Sequence, residues 1–131
     1  MNNCNINIRY IRPALQEDVA VITFDGDIET LPGEQRGVID APPETKICMQ
    51  AHDGSFVADK PVIWIGDEGK QPPWIEVRLD GARELKLMVG DVEQREVAKF
   101  LVNLETEDGL FTSKDPTIVS DPVNQPPSGG R

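Results

Sequence analysis

Residues 96–122 constrain the fold more than any other part of the chain, because alternation, a turn and two proline breaks follow one another there. Ala98, Phe100, Val102, Leu104 and Thr106 alternate with Lys99, Asn103 and Glu105, with Leu101 as the exception. Period-two alternation is what a strand with one buried face requires. Asp108-Gly109 then offers residues that tolerate positive φ, as a tight hairpin turn demands, and Leu110, Phe111 and Thr112 resume β-type residues. Asp115-Pro116 and Asp121-Pro122 bracket Ile118 and Val119 and deny the last apolar segment a continuous ladder.

A helix competes for part of this stretch. Val97, Phe100, Leu101 and Leu104 also fall at helical spacing, Asp91 and Gln94 resemble a capping box, and Gly109 suits a C-terminal cap. Val102, Asn103 and Thr106 are poor helix formers, however, and Asp-Gly before Leu-Phe-Thr suits a hairpin. The expectation over Asp91–Leu104 is therefore a strand, with one helical turn at Asp91–Arg95 reconciling both signals.

The rest of the chain repeats the β pattern. Cys4, Ile6, Ile8 and Tyr10 alternate with Asn3, Asn5, Asn7 and Arg9, so Asn3–Ile11 reads as a strand that Pro13 ends. Asp18–Phe24 is apolar on both faces and reads as a central or covered strand. Asp25-Gly26-Asp27 turns the chain, and a loop rich in breakers follows, with room for one short strand at Gly37–Asp40. Thr45–His52 is the next strand. Asp53-Gly54 reads as a second hairpin turn, with Ser55–Ala58 returning antiparallel. Val62-Ile63-Trp64-Ile65 is wholly apolar, as in a sandwich core, and Trp74–Leu79 alternates again. A three-residue loop, Asp80-Gly81-Ala82, sets Leu85 opposite Val77 and Leu87 opposite Ile75, which keeps the apolar faces together. Seven or eight short strands punctuated by Gly, Pro and Asp predict an all-β fold, an antiparallel sandwich of about seven strands spanning residues 1–122, with a barrel as the alternative. Residues 123–131 are rich in Pro, Ser and Gly and predict a disordered tail.

Composition excludes several function classes. The 131 residues suit one domain, and 23 acidic against 13 basic residues give a formal net charge of −10. That opposes binding to nucleic acid or to an anionic membrane, both polyanions, and favours a cationic or protein partner. No apolar run approaches the ~20 residues that span a bilayer, and Met1–Asn5 has neither a basic nor an apolar leader region. Cytoplasmic residence is the expectation. Cys4 and Cys48 lack metal-ligand spacing and suit buried thiols in a reducing compartment.

Signals for chemistry are sparse. His52 is the single histidine, so any His-based triad must use it, and its place beside an Asp-Gly turn suits a surface turn residue. No nucleophile elbow surrounds Ser55, and no glycine loop leads into a helix to hold phosphate. Carboxylate pairs such as Asp25 and Asp27, Asp67 and Glu68, or Glu107 and Asp108 fall in turns, where local hydrogen bonding is their usual work. Calcium between sandwich loops is the alternative for them, but the stretch from Asp25 lacks the glycine and glutamate of an EF-hand loop. The chain therefore reads as a non-enzymatic module with no cofactor. Trp64, inside an apolar run, reads as core. Trp74 shares the polar side of its strand with Glu76 and Arg78. Those three residues are the candidate ligand site, a platform for a sugar ring, set against packing of Trp74 beneath Pro72-Pro73.

The closing hairpin followed by Ser113-Lys114-Asp115-Pro116-Thr117-Ile118-Val119-Ser120-Asp121-Pro122 resembles the C-terminus of the DP-EP family, with Asp121-Pro122 standing where that family has Glu-Pro. The family comprises small bacterial β-sandwich proteins without assigned activity. The resemblance implies an immunoglobulin-like sandwich and transfers no catalytic residue.

Thr117, Ile118 and Val119 lie between the proline breaks in a short, β-branched, uncharged segment. Such a segment at a sheet edge invites a second strand, so the expectation is a homodimer through that edge. The alternative is a monomer in which Ile118 and Val119 cover their own core.

Overall fold

Alternation in the sequence becomes two apolar sheet faces closed on one core. The computed structural model describes residues 2–11, 21–30, 37–113 and 116–122. Their strands are β1 (Asn2–Ile11), β2 (Val21–Gly26), β3 (Glu29–Thr30), β4 (Gly37–Asp40), β5 (Thr45–Ala51) and β6 (Ser55–Phe56), followed by β7 (Val62–Ile65), β8 (Ile75–Leu79), β9 (Glu84–Val89), β10 (Glu96–Thr106), β11 (Gly109–Thr112) and β12 (Thr117–Ser120). Among the described residues the only helical piece is a 3-10 turn at Asp67–Gly69. The calls for a tail at 123–131 and for a strand start at Asp18 lie outside the described residues.

One sheet has the order β2-β1-β5-β9-β8. In the other, β10 pairs with β12 and β11 along one edge and with β7 and β6 along the other, and β12 leads on to β4 and β3. Both are mixed: β1 pairs with β5 in parallel, as does β12 with β4. This corrects the expectation of about seven purely antiparallel strands. Parallel neighbours need long connections, and here the first and last strands each lie beside a strand remote in sequence. That pairing carries no local turn signature.

The inward side of β10 sets the core. Ala98, Phe100, Val102 and Leu104 are buried, and register puts them beside Ile118, Trp64, Val62 and Phe56 respectively. The Trp64 and Phe100 rings tilt against each other at 5.8 Å. Across the interior, Ile6 and Ile8 of β1, Ile47 and Met49 of β5 and Leu85 and Leu87 of β9 complete a single cluster. Trp64 is core, as its apolar flanks predict.

Several turns differ from expectation for identifiable reasons. Residues Asp91–Arg95 make no helical turn; the β10 ladder begins at Glu96 directly after them. Thr106 pairs with Gly109, so the hairpin turn is Glu107-Asp108, one place earlier than Asp108-Gly109. The Thr106 hydroxyl accepts the Asp108 amide at 3.0 Å and fixes it there. Between β8 and β9 the Asp80 amide donates to the Glu84 carbonyl at 2.8 Å, leaving Gly81-Ala82-Arg83 as the loop, with Gly81 at φ +94°. Leu85 therefore faces Leu79 and Leu87 faces Val77, a two-residue shift that preserves both faces. The Asp53-Gly54 turn makes no hairpin. Ser55–Phe56 leaves β5 and joins β10, so the chain crosses from one sheet to the other at Gly54. Gly54 has φ +84°, and a Cβ there would lie 2.6 Å from the Glu105 carbonyl oxygen, so only glycine fits the crossing. β2 closes one end of its sheet and is not a central strand.

The proline-bracketed segment also lies elsewhere than expected. Thr117–Ser120 is no edge strand: β10 pairs it on one side and β4 on the other. An interior place suits its composition, because Ile118 is fully buried and the backbone groups of both its edges are taken. Proline has no N–H for the ladder, and Pro116 contributes through its carbonyl, which accepts the Phe100 amide at 3.1 Å. Ser113 bridges the gap: its amide donates to the Val102 carbonyl and its hydroxyl accepts the Val102 amide, each at 3.0 Å.

Phe100→Ala removes the largest fully buried side chain from the middle of β10. It is expected to lower the unfolding free energy by about 3–5 kcal/mol. Urea denaturation followed by Trp emission measures this, and a loss under about 1 kcal/mol is incompatible with the packing described.

Candidate functional site

Three surfaces bear on function, and each follows from which residues the strands turn outward. The first is the outer face of the seven-stranded sheet. On β10 the outward positions are Val97, Lys99 and Leu101, alternating with the buried ones. Register carries Val97 to Val119 of β12 and then to Asp40 of β4. The next row runs Glu29, Val38, Thr117, Lys99 and Ile65, and Leu101 faces Ile63 beyond it. Val38, Ile65 and Val97 are 42%, 46% and 52% exposed. A solvated strand face is normally polar, so these apolar residues stand out on this face, although Thr117 and Lys99 separate Val38 from Ile65 within their row.

The second surface is an open cleft of about 800 Å³ where the two sheets meet, lined by Tyr10, His52, Asp53, Ser55, Arg83 and the carboxylates of the β10–β11 turn. The Tyr10 hydroxyl donates to Asp108 Oδ2 at 2.8 Å, and the Tyr10 amide donates to Asp53 Oδ2 at 3.2 Å. His52 is oriented from the β1 side. Asn7 Nδ2 donates to Asp25 Oδ1 at 2.9 Å, which turns the Asn7 carbonyl oxygen toward His52 Nε2 at 2.7 Å, so that nitrogen carries the proton. Hydrogen bonds from Asn7 and from Arg9 Nε hold the Asp25 carboxyl below the usual carboxylate range. No hydrogen bond joins Ser55 to His52 among the described residues. The imidazole is thus engaged with Asn7 of β1. No group of three or more His, Cys, Asp or Glu among the described residues is placed to hold a metal ion.

The third surface carries Trp74, Glu76 and Arg78, the sequence-derived candidates, on β8 and the residue just before it. They share one side of that edge strand. Arg78 Nε meets Asp80 Oδ1 at 3.2 Å, and Lys86 meets the other oxygen of the same carboxylate at 2.6 Å. Trp74 is half-buried and packs against the core, and its carbonyl accepts the Gly90 amide at 2.8 Å. It borders a shallow hollow of about 430 Å³ with Asp91, Glu93 and Glu96. Glu76 and Arg78 lie outside the lining of that hollow, so the three candidates do not converge on one ligand position.

No protein-family model and no curated protein matches the chain. Among solved structures, an inclusion body protein, PixA, from Burkholderia cenocepacia overlaps 94% of this chain and 98% of its own, at 8% identity and a TM-score of 0.29. An overlap of that size assigns neither fold nor role.

The second and third surfaces draw on residues the sequence reading singled out. The first was missed, although its signal was present. Leu101 breaks the alternation of β10, and Ile63 and Ile65 fill the polar positions of an all-apolar strand. Val38, Val97 and Val119 do the same in their strands. These exceptions to period two fall on the same outer face.

The two cysteines occupy opposite faces of adjacent parallel strands. Cys4 aligns with the buried Ile47, whereas Cys48 aligns with the exposed Asn5, so they cannot form a disulfide. Burial, together with the nearby Asp27 carboxylate, pushes the Cys4 thiol up to about 11. The folded state therefore favours the protonated thiol, and that contribution is lost as pH rises towards 11. At neutral pH a thiol reagent is expected to titrate Cys48 promptly and Cys4 only after denaturation. Equal rates for both in the native protein would contradict the burial of Cys4.

Proposed function

We propose that this chain is a non-enzymatic protein-interaction module, an immunoglobulin-like β-sandwich that presents the outer face of its seven-stranded sheet to a protein partner. The observation that carries the reading is the set of exposed apolar residues Val38, Ile65 and Val97, which register places on one outer sheet face in two neighbouring rows around Val119, Thr117 and Lys99. Hydrophobic side chains on a solvated sheet face gain most by association with another protein. The net charge of −10 works against nucleic acid and anionic lipid as partners. In this reading the chain is bacterial, related to the DP-EP family by its C-terminal pattern, and resident in the cytoplasm, where free thiols such as Cys4 and Cys48 persist. The test is affinity capture from the source cells with the native chain and with Val97→Glu and Ile65→Glu. Both variants are expected to keep the native melting temperature and to lose the captured protein. An unchanged captured set would refute the reading.

A second reading rests on Trp74. Its half-exposed ring beside the Asp91, Glu93 and Glu96 carboxylates offers a stacking surface with hydrogen-bond acceptors for sugar hydroxyls. Trp64 is buried, so a shift of Trp emission on adding oligosaccharides would report on Trp74, and its loss in Trp74→Phe would assign it. Unaltered emission across a glycan panel excludes this reading.

A further inference from the structure

The cleft at the sheet junction brings charges of opposite sign together from different sheets. Between them runs the crossing Gly54-Ser55, which leaves β5 of one sheet and joins β10 of the other. From the five-stranded side comes Arg83, in the loop that leads into β9. Two backbone bonds hold that loop to the crossing: the Ala82 carbonyl accepts the Phe56 amide at 2.8 Å, and the Arg83 carbonyl accepts the Ala51 amide at 2.9 Å. From the seven-stranded side come Glu105, opposite Ser55 in register, and Glu107 and Asp108 of the β10–β11 turn.

Part of this lining is already engaged. Tyr10 is fixed through its hydroxyl on Asp108, through its amide on Asp53 and by the Phe111 ring at 5.0 Å. The side chains of Arg83, Glu105 and Glu107 instead make no ion pair or hydrogen bond among the described residues. A guanidinium and carboxylates that share one cleft without pairing each keep their bonding capacity for a third body. Signs and numbers narrow what that body is. Arg83 shares the cleft with four carboxylates, Asp53, Glu105, Glu107 and Asp108. A simple anion is repelled by the acidic excess, and a simple cation leaves Arg83 unanswered.

We propose that this cleft binds a small zwitterion with excess positive charge, an α-amino acid with a basic side chain. Arg83 takes the α-carboxylate, whose two oxygens match the guanidinium fork. The α-ammonium and the side-chain cation lie against Glu105, Glu107 and the two carboxylates that hold Tyr10. The Tyr10 ring gives the aliphatic stem an apolar surface. A volume of about 800 Å³ suits a ligand of this size with its bridging waters. The cleft is open and its charges are solvated, so the dissociation constant is on the order of 1 mM and rises with salt. None of these residues belongs to the outer sheet face, and the inference stands apart from the interaction reading.

Chemical-shift titration of the full chain by proton–nitrogen NMR tests this, with L-arginine, agmatine (the same molecule without its carboxylate) and L-glutamate as probes. Agmatine carries the larger positive charge, so attraction to a chain of net charge −10 favours it. The site demands the reverse order. L-arginine is expected to bind at least about threefold more tightly, because it alone satisfies Arg83, with saturable shifts centred on the amides of Gly54, Ser55, Arg83 and Glu107. L-glutamate leaves those amides unmoved. Arg83→Gln is expected to abolish the advantage of L-arginine over agmatine, and Glu107→Gln to weaken both. Both side chains are exposed, so each variant keeps the native melting temperature. Four results overturn the inference: no saturable shift up to about 10 mM L-arginine, agmatine binding as tightly as L-arginine, a preference that survives Arg83→Gln, or shifts centred on the Trp74 hollow.

Discussion

The seven-stranded sheet depends on the backbone of β10. Its eleven residues are long enough for two short strands to pair end to end along each edge. β12 and β11 share one edge, and β7 and β6 share the other. Strands of two to four residues have too few ladder bonds to persist alone, so they exist because β10 holds them. Ser113 and Pro116 illustrate the dependence. The proline break would leave β10 amides unpaired between β12 and β11, and a carbonyl and a hydroxyl supply the missing acceptors. Buried Phe100, Val102 and Leu104 then tie this backbone frame to the interior.

The two outer faces of the molecule differ in chemistry. On the five-stranded sheet, Asp80 gathers Arg78 and Lys86, while Asp25 holds Asn7 and Arg9. Exposed ion pairs of this kind contribute little to stability, but they keep a strand surface hydrated and discourage adventitious contacts. The seven-stranded sheet carries valine and isoleucine at the equivalent positions, with Lys99 among them. The acidic surplus collects instead at the loop ends, in the cleft beside Tyr10. The outer face of the seven-stranded sheet is thus the less polar of the two, with Lys99, Asp40 and Glu29 as its charged members.

Alternation made most strands legible, and with them the core. Cys4, Ile6 and Ile8, Ile47 and Met49, and Leu85 and Leu87 all point inward as their spacing predicts. Pairing was less legible. Asp53-Gly54 has the composition of a hairpin turn, yet it carries the chain between sheets, because the positive φ of Gly54 serves either purpose. The parallel partners of β1 and β12 had no local signal, since they are chosen by core complementarity between distant segments. Thr117–Ser120 was mistaken for an edge for that reason: its unpaired look in sequence came from prolines, while its second neighbour, β4, lies far upstream. The candidate surface was readable only as a set of exceptions, residues apolar where period two asks for polar ones.

The place of β12 orders events during synthesis. β4 ends at Asp40 and β10 begins at Glu96, and β12, which joins them, is the last strand among the described residues. Until Thr117–Ser120 has left the ribosome, β3 and β4 have no partner in the rest of their sheet. The five-stranded sheet, whose last member is β9, can assemble earlier. Contacts so distant in sequence close slowly, and one edge of β10 stays without its β12 partner during that interval. The nascent chain is therefore most exposed to misassociation just before its final strand inserts, and a truncation before Thr117 would extend that interval indefinitely.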